Sequence, residues 1–572
     1  MKEELLSKLN QAITSWLNDK GIENPEVHFE QSAMVEFGEY STNVAMRYAK
    51  ELQNNPFDIA TELASFLETK KINFIEKVEP AKPGFVNIYL KKNFFAKQIS
   101  EILSDSNWGA NQSLSGKKIM IEYTQPNTFK PFHVGHLMSN AIGESLSRIF
   151  EISGAQTLRA NYQGDIGPHV AKAVWVMLKK GKPSNTLSVS EKASYIGQCY
   201  VEGNSAYEGD TDAKREIDEL NEKIYKKSDK EVNALYEWGR EITLEAFEAI
   251  YKVLGTKFDR YYFESEMATL GKKIVLDNVD KVFSESDSAI VFEADKFDPK
   301  LHTRVFINSK GLPTYESKEI GLTVTKFEKE SPDLSVVVTA VEQADYMKVI
   351  AKAVSILHPE YENKMQHVSH GMMRFADGKM SSRTGNVIAG ESLLKDAQEK
   401  VLERLSGKEF TSEEKNSIAT KVSVAAVKYS ILKQALGFNI IYDFEESISF
   451  EGDSGPYLQY ATVRAHALIK KAEDEQVNES TDMPKDWEVT TLERNLSRFS
   501  EVVTRSMDEL EPHHIAVYLT ELASSFNSFY GQGKIVDIND SSSEYRVALT
   551  KSFYKTMKNG LYLLGIETVD KM

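Results

Sequence analysis

Two histidines three positions apart mark the stretch of the sequence with the clearest chemical potential. His133 and His136 stand in HVGH, after the apolar segment KKIMIEYT and the loop QPNTFKP. Apolar residues recur at helical spacing from Val134 onward, so the sequence predicts a strand, a loop and a helix that begins near Val134. Unpaired amide groups and the positive end of the helix dipole at such a place attract negative charge. HVGH is therefore a candidate phosphate site.

Three interpretations of HVGH stay open on the motif alone. A zinc site needs at least one more protein ligand, and the neighbouring sequence supplies none. Two imidazoles could also simply cap the helix or lie half-buried, and for an isolated HVGH this structural interpretation is favoured. In a nucleotide site, the histidines would donate to phosphate oxygens, Gly135 would let a base or ribose approach the backbone, and Lys130 would add a point charge.

A second motif bears on this choice. Residues 371–386 read GMMRFADGKMSSRTGN, in which glycines flank Lys379, Ser381 and Ser382. This composition is typical of a flexible loop that can fold over phosphates. A KxSS sequence alone is common in solvated loops, but the two motifs in this order, on either side of a divided sheet, are more specific than either one.

The surrounding elements predict a protein of the α/β class. KKIMIEYT, the helix after HVGH, TLRANYQ and VAKAVWVMLKKG alternate strand and helix, which indicates a parallel sheet with helices on its faces. A long charged helical region follows, and strand patterns resume at RVFIN and LSVVVTAV, so we interpret that region as an insertion. The first ninety or so residues predict a small α/β domain, and helical patterns dominate after Met380.

Composition narrows the class of protein. A chain of 572 residues should form several domains, and no apolar run is long enough to span a bilayer. The N-terminal segment lacks an apolar signal core, so we expect a cytoplasmic protein. Cys199 is the only cysteine, which excludes an internal disulfide and a cysteine-based zinc cluster. The net charge of −16 argues against coating of nucleic acid but leaves room for RNA bound by local basic patches.

The two motifs carry a resemblance to a known family. HVGH resembles the HIGH signature, and KMSS the KMSKS signature, of the class I aminoacyl-tRNA synthetases. EYTQPNTFKPFHVGHL, RANYQGDIGPHVAK and SGPYLQYATVRAHAL are similar to the arginyl-tRNA synthetases among them, and FGEYSTNVAM with KPGFVNIYL is similar to their extra N-terminal domain. The resemblance runs over nearly the whole chain.

This resemblance implies a fold and a function. It implies a Rossmann-type parallel-sheet catalytic domain with a helical insertion, a small α/β N-terminal domain and an all-α C-terminal anticodon-binding bundle. The implied domains are an additional tRNA-binding domain at 1–92, the catalytic domain at 117–376 with its insertion at about 181–300, a helical stem-contact region at 377–452 and the anticodon-binding domain at 453–572. The implied reaction is ATP-dependent ligation of L-arginine to tRNA(Arg) through an arginyl-adenylate, for translation. Mg²⁺ would accompany ATP, no cofactor would be tightly bound, and we expect a monomer.

The resemblance also implies which residues handle ATP. The catalytic residues would be His133, His136, Lys379 and Lys130, and the ATP-binding residues would be His133, Gly135, His136, Lys379, Ser381 and Ser382. Many arginyl enzymes lack the lysine of the KMSKS motif, and a lysine just before HIGH is thought to compensate. This chain has both lysines, and we expect Lys379 to bear the larger share because it lies on the loop.

A pocket that binds arginine needs particular residue types. A guanidinium stays protonated and presents donors in a planar fork, so a selective pocket needs carboxylates. Glu122 ends the strand before HVGH, and Tyr315 and Glu319 share one helix face at i, i+4 spacing. The resemblance implies an arginine pocket formed by Glu122, Asn127, Asp165, Tyr315, Glu319 and Gln343. The family more usually has Asp at position 319 and often Trp at Ile166. Each of these residues has an alternative interpretation. Glu122 and Glu319 could be solvent-exposed acids, and Asn127 and Gln343 could form hydrogen bonds in a turn or at a strand end. Asp165 could be a helix N-cap.

The RNA partner would contact two regions. Tyr457, Tyr460 and Arg464 lie on one predicted helical stretch, where aromatic rings beside a cation suit unstacked bases. Ordinary helix packing is the alternative for this stripe. By resemblance, Phe85 and Asn87 would contact the elbow of the tRNA, although the strand pattern alone places Phe85 in a core.

Rival functions remain for comparison. A small-molecule nucleotidyltransferase also uses HxGH, but it would not need the N-terminal domain or the long helical C-terminus. A non-catalytic RNA-binding relative would not need intact HVGH and KMSS. A synthetase for a neutral amino acid would leave Glu122 and Glu319 unexplained.

Overall fold

The computed structural model describes residues 2–32, 35–376 and 390–572. Their packing forms two compact units. The first unit comprises Met1–Ser106, Ala465–Arg498 and Ser524–Thr556, and the second comprises Asn107–Arg464, Phe499–Ala523 and Met557–Met572. In the described part of the chain, every helix is too short or too polar to cross a membrane.

The N-terminal part of the first unit is an antiparallel sheet covered by helices. Its elements are α1 (Lys2–Asp19), β1 (Glu30–Gln31), β2 (Tyr40–Thr42), α2 (Val44–Arg47), α3 (Pro56–Thr69), β3 (Ile75–Ala81), β4 (Phe85–Leu90) and α4 (Lys92–Ser104). The strand order is β1-β2-β4-β3. Val86 and Ile88 of β4 are fully buried against Leu9 and Leu63 of the helices. Val86 and Ile88 thus lie on the same face of β4, as the period-2 pattern of its sequence predicts. The sheet and the helices that cover it confirm the predicted small α/β fold.

The second unit begins with the strand and helix predicted around HVGH. Its first elements are β5 (Lys118–Glu122), α5 (Val134–Ile152), β6 (Gln156–Gln163) and α6 (Pro168–Lys180). β5 is short, apolar and buried, as expected for a central parallel strand. The start of α5 at Val134 agrees with the sequence prediction.

Three long helices follow: α7 (Val189–Gly209), α8 (Thr211–Lys226) and α9 (Lys230–Leu254). Ser188, Asp210 and Asp229 accept hydrogen bonds from the first backbone amides of these helices, which explains where each one begins. Their apolar faces pack with α6 around residues such as Val174 and Ile217. This is the helical region that the charged sequence predicts.

The chain then returns to the sheet earlier than predicted. β7 (Arg260–Phe263) follows α9 directly and pairs in parallel with β6. The prediction of a helical insertion over about 181–300 is therefore corrected, because this range contains a strand of the main sheet. β7 has only four residues, so its sequence carries little strand periodicity and its place depends on pairing with β6.

The remaining elements of this region complete the α/β architecture. They are α10 (Glu264–Asp277), β8 (Ser284–Ser286), β9 (Ala289–Phe292), β10 (Arg304–Ile307), α11 (Tyr315–Glu330), β11 (Leu334–Ala340), α12 (Ala344–Leu357) and β12 (Met365–His370). β8, β9 and β10 form a separate antiparallel sheet. The strand predicted at RVFIN thus exists, but outside the parallel sheet.

The parallel sheet has the strand order β12-β11-β5-β6-β7. From β5 the chain proceeds to β6 and β7 on one side, and it later returns to β11 on the other side. β5 and β11 are therefore the switch point of the sheet. Ligands of open α/β sheets bind at this point, outside the carboxyl ends of the strands. HVGH follows β5 and so lies at this edge.

The rest of the chain is mainly helical. Its elements are β13 (Met373–Phe375), α13 (Gly390–Arg404), α14 (Ser412–Leu432), β14 (Ile440–Tyr442), α15 (Phe444–Ser447), α16 (Gly455–Asp474), α17 (Thr491–Leu496), α18 (Phe499–Glu509), α19 (His513–Gly531) and α20 (Ser543–Leu563). This agrees with the helical patterns after Met380. The range predicted as one anticodon-binding bundle, 453–572, contributes residues to both compact units.

Candidate active site at the carboxyl edge of the parallel sheet

A crevice of about 630 Å³ opens at the switch point of the sheet. Its walls come from the end of β5, the loop to α5, the first turn of α5, and the elements β6, α10, β10, α11, β11, α12 and β12. The crevice brings together most of the site residues predicted from sequence: Glu122, Asn127, Lys130, His133, Gly135, His136, Tyr315, Glu319 and Gln343.

The two histidines form the start of α5 in a fixed arrangement. His133 is the N-cap residue, and its backbone N–H donates to Nδ1 of His136 at 3.2 Å. The rings stack with their centroids 3.5 Å apart. A Cβ atom at Gly135 would lie 3.0 Å from the ring of His133, so glycine leaves the space that this stack needs. Because Nδ1 of His136 accepts, the hydrogen-bond network assigns the proton to Nε2, which can donate to a ligand.

These histidines are neutral donors. Burial, and then the charge of Lys130, lowers the pKa of His133 to about 4. Burial and the neighbouring His133 lower the pKa of His136 well below its ordinary value. Burial, and then the charge of Lys172, lowers the pKa of Lys130. At neutral pH each imidazole therefore keeps one N–H, and Lys130 is the cation beside them.

The loop before HVGH is held in an unusual conformation. Thr124, Gln125 and Phe129 have φ angles of 77°, 49° and 64°, which side-chain-bearing residues seldom adopt. Backbone bonds to Gly164 fix the loop: Thr128 N donates to Gly164 O at 2.9 Å, and Gly164 N donates to the carbonyl of residue 126 at 3.2 Å. The side chain of Asn127 leaves no room for a Cβ at Gly164. The glycine of RANYQGD is therefore what lets Asn127 reach the crevice.

The acids of the crevice are only partly compensated. Glu122, which is 1% exposed, forms an ion pair with Lys326 at 2.8 Å. Glu264 forms an ion pair with Lys318 at 2.7 Å. Glu319 is 7% exposed and has no ion-pair partner among the described residues. Burial, and then the charge of Glu122, raises the pKa of Glu319 to about 8. With all three carboxylates ionised, this group therefore carries one excess negative charge.

Asp165 does not lie on the wall of the crevice. It is fully buried, and its carboxylate accepts from Nε of Arg240 and from both N and Oγ of Ser265, each at 2.8 Å. The structure thus contradicts a direct arginine contact by Asp165, because its oxygens are already engaged in joining α9 to α10. The alternative interpretation as an N-cap is partly right, since Asp165 accepts from an amide in the first turn of α10 rather than of α6.

Several crevice residues were absent from the sequence prediction. Tyr162, Glu264 and His370 line the crevice, and His370 Nε2 lies 2.9 Å from Oγ of Ser139. Tyr162 and His370 lie at the carboxyl ends of β6 and β12, so the rule that parallel strands share one edge could have pointed to them. Glu264 follows β7, the strand that the sequence did not reveal.

The second motif is not among the residues that the structure describes. Lys379, Ser381 and Ser382 fall within residues 377–389, which lie outside the described residues. Their predicted roles stay predictions.

The residues predicted to contact tRNA differ in their surroundings. On α16, Tyr460 is 36% exposed and the guanidinium of Arg464 lies 4.9 Å from its ring centroid, while Tyr457 is half-buried. Phe85 of β4 is half-buried, whereas Asn87 is only 4% exposed. The burial of Asn87 contradicts a direct contact by its side chain, so we retain Phe85 alone in that region.

Comparison with known families accounts for most of the chain. Residues 98–444 match the family described as tRNA synthetases class I (R), catalytic domain. Residues 458–572 match the DALR anticodon binding domain, and residues 3–90 match the arginyl tRNA synthetase N terminal domain.

Known proteins similar to this chain agree with these matches. An arginine–tRNA ligase of Borrelia hermsii is 30% identical over 85% of this chain and 86% of the relative. A ligase of the same name from Clostridium perfringens is 29% identical over 97% of both chains. The solved arginyl-tRNA synthetase of Thermus thermophilus has the same fold, with a TM-score of 0.81 and 23% identity over 99% of this chain and 100% of that one. The catalytic-domain match alone spans more than half of the sequence, and the chain therefore belongs to the class I arginyl-tRNA synthetase family.

Proposed function

We propose that the crevice ligates L-arginine to tRNA(Arg) with ATP as the energy source, through an arginyl-adenylate. The observation that carries this proposal is the pairing of two chemistries in one crevice. Neutral donors and Lys130 stand on the side of α5, and three buried acids, of which only Glu122 and Glu264 have a lysine partner among the described residues, stand on the side of α11. The first set suits phosphate oxygens, and the second suits a permanently cationic side chain.

In the activation step, an oxygen of the arginine carboxylate attacks the α-phosphorus of ATP, and pyrophosphate leaves. Negative charge grows on the phosphate oxygens as this bond forms and the other breaks. The imidazole N–H groups of His133 and His136 and the ammonium of Lys130 are held ready to stabilise that charge. We infer that Lys379, Ser381 and Ser382 add further contacts to ATP, and that Mg²⁺ accompanies ATP on its phosphate oxygens.

Arginine recognition rests on Glu319 and its neighbours. A guanidinium beside Glu319 would stabilise the ionised form of this acid and match its charge, while Glu122 keeps Lys326. Tyr315 is 56% exposed on the rim, and Asn127 and Gln343 offer amides to the rest of the amino acid. A neutral side chain would gain no ion pair, so it would bind more weakly than arginine.

The transfer step brings tRNA to the same crevice. We propose that the terminal ribose of tRNA attacks the activated carbonyl through its 2′-hydroxyl and releases AMP. Tyr457, Tyr460 and Arg464 of α16 are our candidates for anticodon-loop contacts, because an exposed ring beside a guanidinium suits stacked bases. Phe85 is our candidate for an additional contact. We further propose that the chain acts as a monomer in the cytoplasm.

Aminoacylation assays test this proposal directly. The purified chain is incubated with ATP, Mg²⁺, unfractionated tRNA and each amino acid in turn, and we expect charging with arginine only. In His136→Asn, the amide oxygen can still accept from the backbone N–H of His133, but the Nε2–H that donates to the phosphate is lost. We therefore expect about a hundredfold loss in kcat. His358→Asn, a half-buried site remote from the crevice, is the matched control and should keep full activity. Charging with another amino acid, or full activity of His136→Asn, would contradict the proposal.

The two candidate lysines are separated by a second measurement. Lys130→Ala and Lys379→Ala are compared in ATP–pyrophosphate exchange with arginine and tRNA present. We expect the larger loss from Lys379→Ala. The reverse order would assign the main role to Lys130, whose ammonium lies in the crevice wall beside the histidines.

A further inference from the structure

The chain leaves β5 through two residues with a left-handed backbone. Thr124 has a φ angle of 77° and Gln125 one of 49°, and both residues line the crevice. A β-branched residue such as threonine seldom adopts a positive φ, because its side chain crowds the backbone. Such a conformation persists only where surrounding contacts maintain it. The contacts of Thr124 therefore determine whether this turn keeps its shape.

Asn140 of α5 provides the side-chain contact to Thr124. Its Nδ2 donates to Oγ1 of Thr124 at 3.0 Å. Asn140 is fully buried and Thr124 is 1% exposed, so this bond lies inside the protein. Asn140 lies one helical turn after His136, but it is not among the residues that line the crevice. Any effect of Asn140 on a ligand therefore passes through its neighbours, and Thr124 is the neighbour on the crevice wall.

The oxygen of the Asn140 amide is also engaged. Oγ1 of Thr256 donates to Oδ1 of Asn140 at 3.2 Å. Thr256 follows α9, and its backbone N–H donates to the carbonyl of Tyr251 in the last turn of that helix at 2.9 Å. Because the amide oxygen faces Thr256, the hydrogen-bond network places the amide N–H groups toward Thr124. The side chain of Asn140 thus joins the turn after β5 to the end of α9.

This turn directs Gln125 toward the acids of the crevice. Nε2 of Gln125 donates to Oε1 of Glu122 at 2.7 Å. The loop is anchored a second time further along, because Thr128 N donates to Gly164 O at 2.9 Å. The second anchor lies between Gln125 and Lys130 in the chain. Loss of the first anchor would therefore displace Gln125 and leave Lys130 beside the histidines.

We propose that Asn140 is a positioning residue for arginine binding, which keeps Thr124 in the left-handed conformation and so places Gln125 beside Glu122. This inference rests on the proposed function and adds to it a residue that the ligand does not touch. Without the bond to Asn140, a smaller fraction of the molecules has the competent turn. The apparent affinity for arginine then falls in proportion to that fraction.

Asn140→Leu tests this inference in the full-length chain. Leucine has nearly the same size as asparagine but cannot bond to Thr124. We expect the KM for arginine in tRNA charging to rise about tenfold, the size of effect that follows from the loss of one buried hydrogen bond. The KM for ATP should stay within about twofold, because the second anchor keeps Lys130 in place.

Asn161 offers a matched control. It is a fully buried asparagine of β6, its Nδ2 donates to the hydroxyl oxygen of Tyr251 at 3.0 Å, and it is not among the residues that line the crevice. Asn161→Leu therefore removes a buried amide from the same compact unit, and it should lower the thermal unfolding temperature as Asn140→Leu does. Its KM values for arginine and ATP should stay within about twofold of those of the parent chain.

Substitutions of Thr124 test the route of the effect. Thr124→Val keeps the β-branch but loses the hydroxyl, so it should raise the KM for arginine as Asn140→Leu does. Thr124→Ser keeps the hydroxyl and should have a smaller effect. Glycine adopts a positive φ without support from a side-chain bond. In the Thr124→Gly background, Asn140→Leu should therefore change the KM for arginine by less than about twofold.

Other outcomes overturn the inference. An unchanged KM for arginine in Asn140→Leu would exclude the positioning role. Equal effects of Asn140→Leu and Asn161→Leu, or equal rises in the KM for arginine and for ATP, would show a general effect on the fold. An effect of Asn140→Leu that persists undiminished in the Thr124→Gly background would exclude the route through Thr124.

Two measurements separate these outcomes from trivial failures. Thermal unfolding verifies that each variant is folded, and the pair Thr124→Val and Thr124→Ser tests the same hydrogen bond if Asn140→Leu does not fold. If the parent chain itself fails to charge arginine, the proposed function fails instead, so the two failures are distinguishable.

Discussion

If Glu319 binds the guanidinium as proposed, its charge should make arginine binding depend on pH. Its pKa of about 8 arises from burial and from the charge of Glu122, with a smaller lowering effect of Lys326. A bound guanidinium favours the ionised form and lowers this pKa, so binding releases a proton at neutral pH. Arginine affinity should therefore rise with pH until Glu319 is ionised, and then level off.

The magnitude follows from the fraction of ionised Glu319. With a pKa of about 8, roughly a tenth of the molecules are ionised at pH 7 and about half at pH 8. When only a fraction of the protein is competent, the apparent dissociation constant is the intrinsic one divided by that fraction. The dissociation constant should therefore fall about fivefold from pH 7 to pH 8, and binding should release about 0.9 proton at pH 7 and about 0.5 at pH 8.

Calorimetric titration measures both quantities without catalysis. Arginine is titrated into the chain between pH 6.5 and 8 in two buffers with different ionisation enthalpies, so that the difference in heat reports the protons released. Glu319→Gln should bind more weakly, without pH dependence and without proton release. Glu328→Gln changes an exposed acid on the same helix and should behave like the parent chain.

Two results would refute this reasoning. A flat affinity with no proton release in the parent chain would mean that Glu319 is already ionised in the empty crevice. A pH dependence that survives in Glu319→Gln would assign the proton to another group. In the first case the excess charge would lie on Glu319 before arginine binds, and in the second case the titrating acid would have to be sought elsewhere in the crevice.

Three further substitutions have defined outcomes. Asp165→Asn weakens the bond to Arg240 and should lower the free energy of unfolding by about 1–3 kcal/mol, by denaturant titration, with the KM for arginine unchanged. Gly164→Ala places a methyl group against Asn127 and should raise the KM for arginine in steady-state charging assays. Lys428→Met leaves the carbonyls of residues 254 and 565 without the amino group that donates to each at 2.7 Å, so thermal unfolding should show a loss of about 1–3 kcal/mol.

The phosphate side of the site was predictable because its signals are local. A short apolar strand, a loop with prolines and a helix with regular apolar spacing are enough to place His133 and His136 at the first turn of α5. The capping arrangement of these histidines also follows from their spacing of three on a first helical turn. The backbone conformation of Phe129 had no such signal, because it depends on the hydrogen bond of the neighbouring Thr128 to Gly164 and on the packing of the Phe129 ring against Gly239 of α9.

The arginine side was predictable only in part, because charge compensation is a tertiary property. The sequence pointed to Glu122 and Glu319 as acids, but it did not show that Lys326 neutralises one of them. Positions 319 and 326 are seven apart on α11, so the sequence places Lys326 on the same helix face as Glu319. It does not show the ion pair of Lys326 with Glu122 on another element. The pairing of Lys318 with Glu264 could not be deduced either, since β7 places Glu264 and its four residues gave no strand pattern.

In the proposed arginine pocket, the balance of these charges should decide which side chain is selected. Two uncompensated acids would repel each other at close range, and a buried carboxylate without a partner is costly. Lys326 and Lys318 let two acids stay buried and leave Glu319 as the one acid whose charge a ligand can match. A neutral side chain fits the protonated form of Glu319, whereas a guanidinium fits the ionised form. Discrimination between the two therefore increases as Glu319 ionises, and it depends on the position of this one proton more than on the number of acids in the crevice.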